Sequence, residues 1–289
     1  MLSGLKRLHP AAIIACLIPQ AVAAMFVRDA VVTAISLFFA AILFLRYKGI
    51  SKIKYLPLCA FAAAVAGLLN TFINHRGDTP FLYINDSALT LESFFYGVRF
   101  AAVILAALLW FSVFKEVFTS DDVIYVFGRF APSAALVISA VLRYIPLFAS
   151  RIRETSDAHI ASGARDLSGI PGRVRLAGDN VATMVTWSCE TAIESADSMR
   201  ARGYGAAKRS RRRVIGFRKT DVFVIVAGTA LAVSTFVLIA LGAGDFVYFP
   251  ALSLGDSPLN AWLYASVALL SFIPVAVEIR EEFLWTRSE

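Results

Sequence analysis

The chain has 289 residues, 58% hydrophobic and only 17% charged, with a mean hydropathy of +0.69. A soluble domain carries roughly 45–50% apolar and about 25% charged residues, so the composition excludes an ordinary water-soluble protein. The formal net charge is +7, and the whole excess lies in residues 115–220, where 17 Lys/Arg face 10 Asp/Glu; the remainder holds 11 of each.

Lys6 and Arg7 precede a first apolar run without a small-residue cleavage site, which reads as an uncleaved span. Runs of about 17–25 apolar residues suffice to cross a bilayer core as helices. The sequence predicts such spans at roughly 10–27, 29–45, 56–74, 96–114, 221–242 and 260–277. Only Val27, Arg28, Asp29 and Ala30 separate the first two, a tight helical hairpin. Pro19 and Pro274 fall inside spans and are expected to kink them. The loop at about 75–95 stays open to a short re-entrant or interfacial segment.

Lys and Arg accumulate on the cytoplasmic side of membrane proteins. Arg46, Lys48, Lys52 and Lys54 follow the second span, and Lys208, Arg209, Arg211, Arg212, Arg213, Arg218 and Lys219 precede the fifth. Placing both clusters inside gives six spans in the cell membrane with both termini cytoplasmic. The outer loops then carry Arg28 and Arg76 against Asp29, Asp78, Asp86, Glu92, Asp245 and Asp256. The expected organisation is an N-terminal membrane region over 1–114 (four spans), a cytoplasmic region over 115–220, and a C-terminal membrane region over 221–289 (two spans).

The central region is not polar throughout. Residues 131–149 are nearly as apolar as a span but hold Arg143 and, near the end, Pro146. A central arginine costs about 2.5–3.5 kcal/mol on insertion scales, so this run is expected to pack against protein or lie at the interface. The alternative is a seventh span with Arg143 snorkelling. After a breaker of Leu167, Ser168, Gly169, Ile170, Pro171 and Gly172, a second helix is predicted from about 173 to 204. Its polar stripe reads Asp179, Thr183, Thr186, Glu190, Glu194, Asp197; its less polar stripe reads Ala177, Val181, Met184, Val185, Ser188, Ala192, Ala196, Met199.

Both central helices end in a similar signature. The first is Ser162, Gly163, Ala164, Arg165, Asp166; the second is Met199, Arg200, Ala201, Arg202, Gly203, Tyr204. Taken singly, an arginine at a helix C-terminus is explained by the helix dipole, an effect of about 0.3–1 kcal/mol. As a pair on consecutive arms they suggest two equivalent docking tips. The alanine lets the helix approach a groove closely, and the arginine fork makes bidentate contacts to carboxylates within it.

These signatures resemble those of the transmembrane T component of energy-coupling factor transporters, importers of vitamins and metals. Leu142, Arg143, Tyr144, Ile145, Pro146 and Leu147 resemble the family's arginine-aromatic-apolar-proline stretch upstream of its first motif. Ala201, Arg202 and Gly203 fit the second motif; in the first, Ala164 and Arg165 match while Asp166 stands where the family usually has a small residue. The specific resemblance covers about 140–205. It implies an all-α membrane protein with about six transmembrane helices plus two long cytoplasmic coupling helices. It further implies two ATP-binding cassette (ABC) subunits docked at Ala164, Arg165, Asp166, Ala201, Arg202 and Gly203, and a separate small membrane subunit that binds the substrate. In that reading the chain is not an enzyme and needs no cofactor.

The sequence holds no Gly-x-x-x-x-Gly-Lys-Ser/Thr phosphate loop, no His-Glu-x-x-His and no Gly-x-Ser-x-Gly. The basic run over 208–213 lies beside a span without interleaved aromatics, which suits anionic lipid rather than nucleic acid. Asp179, Glu190, Glu194 and Asp197 read as a solvated face or one that meets a basic partner. Arg99 reads as an interfacial snorkel, and Trp110, Trp187, Trp262 and Trp285 as packing or interface residues. Two rival readings stand beside this one. A membrane-embedded transferase acting at the cytoplasmic interface needs converging acids or histidines. A lone permease needs polar groups at mid-membrane in several spans.

Overall fold

The computed structural model describes residues 4–48, 55–73, 79–84, 87–162, 169–206, 216–246, 248 and 258–286. A short 3-10 turn, Gly4–Arg7, leads into α1 (Pro10–Phe26), α2 (Ala30–Lys48) and α3 (Tyr55–Ile73). An antiparallel hairpin of β1 (Pro80–Ile84) and β2 (Ser87–Thr90) precedes α4 (Leu91–Val117). There follow α5 (Ser120–Phe130), α6 (Pro132–Ala161), α7 (Gly169–Ala201), α8 (Lys219–Ala240) and α9 (Leu259–Thr286). The protein is an all-α membrane protein that carries one small hairpin among the described residues.

Each of the six predicted spans has its helix. Among the described residues five helices are long and apolar enough to cross a membrane: Ala30–Tyr47, Leu91–Val117, Pro132–Ala161, Lys219–Ala240 and Leu259–Phe283. Pro10–Phe26 and Pro57–Ile73 are apolar but shorter. At 17 residues, α1 spans about 26 Å, just under a typical bilayer core. The 75–95 loop contributes the hairpin, in which Leu82 pairs with Leu89, Tyr83 with Ala88 and Ile84 with Ser87. Thr90 then starts α4 by accepting the Ser93 N–H at 3.3 Å.

Two compact units divide the chain: Met1–Val123 with Gly216–Glu289, and Ile124–Ile215. The first unit is built around α1, which is apolar on nearly all sides and buries Ala12, Ile13, Cys16, Leu17, Ala21 and Ala24. Leu43 and Phe44 of α2, Leu109 and Val113 of α4, Val224 of α8 and Val275 of α9 join it in one core. Small residues allow close helix crossings. A Cβ added at Gly67 of α3 would sit 2.6 Å from the Gly97 carbonyl oxygen of α4, so these backbones touch.

Buried polar groups tie the same unit together. The Gln20 amide of α1 donates to Ser36 of α2 (3.3 Å) and to Ser271 of α9, and the Trp110 indole of α4 donates to Ser36 (2.9 Å). At one end Glu278 accepts from the Leu5 N–H (3.0 Å) and the Tyr47 hydroxyl (2.6 Å), while Asp221 accepts from the N–H groups of His9 (3.0 Å) and Arg218 (2.8 Å). At the other end Asp29 accepts from the Val31 N–H (2.8 Å) and the Tyr264 hydroxyl. Arg99 has a partner within the protein. Its guanidinium donates to the Val27 carbonyl, the C-cap of α1, at 2.6 Å and lies 5.8 Å from the Tyr248 ring centroid. Burial pushes the Tyr248 hydroxyl up to about 12, with Arg99 pulling the other way, so it stays a donor to the Arg28 carbonyl (3.2 Å).

Candidate functional site

The second unit contains the helices singled out by their paired signatures. α6 runs 30 residues and α7 33, so at about 1.5 Å per residue they measure about 45 and 50 Å. Pro132 opens α6 in the first turn, where a proline costs no hydrogen bond, and Pro146 lies within it. The glycine-proline breaker lies partly inside helix: Gly169, Ile170, Pro171 and Gly172 form the first turn of α7. The first helical N–H groups lack intrahelical partners in any case, so Pro171 is tolerated there.

Residues 131–149, expected to pack against protein or lie at the interface, form the N-cap and first part of α6. Only 6% of the most apolar window of α6 is buried, against 50% for α9, and Arg143 is exposed. The most apolar window of α6 also has the lowest mean hydropathy of the five long apolar helices, 1.6, and past it the helix turns polar at Arg151, Arg153, Glu154 and Asp157. The covered face of α7 is displaced from the less polar stripe. Leu176, Asp179, Asn180, Met184, Trp187, Ser188, Thr191, Ser195 and Met199 are among the sheltered positions, whereas Val181 and Val185 are exposed. Glu190, Glu194 and Asp197 are exposed, as a solvated face requires, whereas Asp179 is half-buried, and no metal-binding group of His, Cys, Asp and Glu exists among the described residues.

α6 and α7 meet through aromatic and hydroxyl groups. Tyr144 and Phe148 stack at 5.9 Å between centroids, and Phe148 meets the Trp187 ring edge-on at 5.4 Å. The Arg151 guanidinium lies 5.6 Å from the Trp187 centroid and pairs with Glu154 at 2.9 Å. Tyr144 and Ser195 share a hydroxyl–hydroxyl bond of 3.1 Å. Moving along α6 from Tyr144 to Arg151, the partners on α7 run backwards from Ser195 to Trp187. The helices therefore cross with antiparallel sense, and their C-terminal tips lie at opposite ends. Each tip is about 20 Å from the crossing.

At the tip of α7 the chain closes the helix with its own backbone. The Tyr204 N–H donates to the Met199 carbonyl (2.9 Å) and the Gly203 N–H to the Arg200 carbonyl (2.9 Å). Gly203 has φ 74°, the left-handed conformation that this closure needs and that glycine adopts without steric cost. The Arg202 N–H takes the Ser198 carbonyl at 3.1 Å. The carbonyls of Ser198, Met199 and Arg200 are thus satisfied without any arginine side chain. Ala201, Arg202 and Gly203 are all exposed, and neither Arg200 nor Arg202 has an ion-pair partner among the described residues. What remains of a purely structural role for Arg202 is the dipole effect alone. Ala164, Arg165 and Asp166 lie outside the described residues, as does the basic run over 208–213. The described end of α6 is Ser162, whose hydroxyl donates to the His159 carbonyl at 3.0 Å.

Residues 3–213 match the family CbiQ, described as cobalt transport protein. The chain belongs to this family. Its members are the T components of energy-coupling factor transporters. The match runs through both arms and covers the Ala201, Arg202, Gly203 tip. It makes the chain a transport component and a multi-pass membrane protein. No curated protein matches the chain. Sequence reasoning missed the arm crossing: Trp187 reads as an ordinary interface residue, and Phe148 draws no notice. The available signal was the spacing of Tyr144 and Phe148, one turn apart on a helix whose sheltered face they share.

Proposed function

We propose that the chain is the energy-coupling subunit of an import complex and performs no catalysis itself. Two cytoplasmic ABC ATPases dock on its arms, one at Ala164, Arg165 and Asp166, the other at Ala201, Arg202 and Gly203. A separate small membrane subunit binds the substrate: a vitamin, a metal ion or a related micronutrient. Closing of the ATPase pair on ATP moves the arms, and the arms reorient the substrate-binding subunit. Residues 115–220 lie on the cytoplasmic side with both termini, and the basic run over 208–213 sits against anionic lipid.

One observation carries the docking role: Arg202 stands exposed on a helix end whose Ser198, Met199 and Arg200 carbonyls are already capped by backbone N–H groups. An arginine fork held there by a rigid helix, with alanine before it and glycine after it, is free to enter a carboxylate-lined groove. Antiparallel arms with tips at opposite ends suit two separate ATPases rather than one. Purification in mild detergent tests the assembly. Two ATPases and a small membrane protein are expected to accompany the chain, while the isolated chain binds no ATP. A lone chain that binds ATP stoichiometrically contradicts the reading. Topology is tested with single cysteines at positions 85 and 210 in a chain lacking Cys16, Cys59 and Cys189. An impermeant thiol reagent applied to intact cells is expected to label 85 and spare 210.

A further inference from the structure

We propose that Phe148, Trp187 and Arg151 form a pin that holds the two arms at one point and sets the efficiency with which tip motion becomes transport. This rests on the coupling reading above and assigns these residues a positioning role within it. The arms are long and mostly exposed. The described interactions that join them gather within two turns of α6, from Tyr144 to Arg151.

The pin is built for a fixed angle rather than for sliding. An edge-on contact between Phe148 and Trp187, 72° between ring planes, is directional, unlike packing between aliphatic chains. Tyr144 stacks on Phe148 from one side and anchors its hydroxyl on Ser195, so the Phe148 ring is backed. Glu154, one turn beyond Arg151, holds the guanidinium beside the Trp187 ring. With about 20 Å of helix between pin and tip, a small change of crossing angle is enlarged at the tips. A loose pin dissipates the ATPase stroke as independent arm motion. A firm pin delivers it to both arms at once.

The test combines a distance with a coupling ratio. Spin labels at Ser162→Cys and Ala206→Cys, in the full chain lacking Cys16, Cys59 and Cys189, report the tip-to-tip distance distribution in lipid nanodiscs. Trp187→Ala is expected to broaden it, and Trp187→Phe, which keeps an aromatic ring for Phe148 and Arg151, to restore the narrow form. In the whole reconstituted complex, Trp187→Ala is expected to keep both ATPases bound and hydrolysing, while substrate taken up per ATP falls several-fold, up to about tenfold for the loss of one aromatic pair. Trp187→Phe recovers most of that ratio. Phe148→Ala provides the same readout if Trp187→Ala fails to accumulate. An unchanged distance distribution in both alanine variants overturns the pin. So does a broadened distribution with an unaltered ratio of uptake to ATP. The distance measurement needs no partner, so a failure of the ATPase-docking reading shows separately, as absence of ATPases from the unmutated complex.

Discussion

The two units of this protein hold themselves together in opposite ways. In the membrane unit half of the most apolar window of α9 is buried, and Asp29, Asp221, Glu278 and Gln20 each bind groups from two or more segments. In the arm unit α6 buries 6% of its corresponding window, and the helices meet at one aromatic crossing. The first arrangement resists deformation, because buried polar contacts join α1, α2, α4, α8 and α9 at several levels. The second leaves long helix ends exposed and lets a partner take hold of them. An element meant to transmit force needs both: a frame that keeps its shape and levers that can be grasped.

If the frame is as cross-tied as its geometry indicates, cutting one tie costs much there and little in the arms. Asp221→Ala strands the buried N–H of His9 and the part-buried N–H of Arg218 and is expected to destabilise the membrane unit by about 2–4 kcal/mol. Thermal unfolding in detergent measures it, and a loss under about 1 kcal/mol breaks the contrast between the units. Gly67→Ala pushes a methyl against the Gly97 carbonyl and is expected to cost about 1–3 kcal/mol while loosening α3 from α4. Crosslinking between cysteines placed on the two helices follows the separation. Gly203→Ala meets open space, so its penalty comes only from the left-handed backbone, about 1 kcal/mol. Hydrogen exchange is expected to show fraying of the last turn of α7 with no change in the membrane unit. The smallest effect concerns alkali. Tyr248, raised to about 12 from an ordinary 10, contributes stability that is complete below pH 10 and lost as the pH climbs through its folded value. Spectrophotometric titration against Tyr248→Phe is expected to remove one late-titrating phenol.

Hydropathy made the frame legible, since α1 to α4, α8 and α9 are each apolar runs, with α2, α4, α8 and α9 of membrane length. The tip of α7 was only partly legible: the predicted helix ran to about 204, whereas it ends at Ala201 and Gly203 takes the left-handed closure. Other features depend on where distant segments meet. Arg99 reads as a snorkelling cation until α4 sets it beside the Val27 carbonyl, 72 positions away. The hairpin before α4 escaped because its strands are only five and four residues long. The arm crossing escaped because Trp187 and Phe148 gain meaning only once α6 and α7 cross. Asp221 is an acid next to a basic run in sequence; in the fold it receives the N-terminal segment.

The central claim is that the arginines at the arm tips hold the ATPases. Arg165→Ala and Arg202→Ala, singly and together, test it through co-purification of the ATPases and ATP-dependent uptake. A carboxylate left unpaired in a docking groove costs about 2–5 kcal/mol of association, well above the dipole effect on the helix itself. Because Asp166 departs from the small residue expected at the first tip, Arg202→Ala is predicted to do more harm than Arg165→Ala. Either single variant keeps some assembly through the other arm, and the double variant sheds both ATPases, since linked attachments multiply their affinities. A double variant that accumulates normally, retains its ATPases and transports at the original rate contradicts the account.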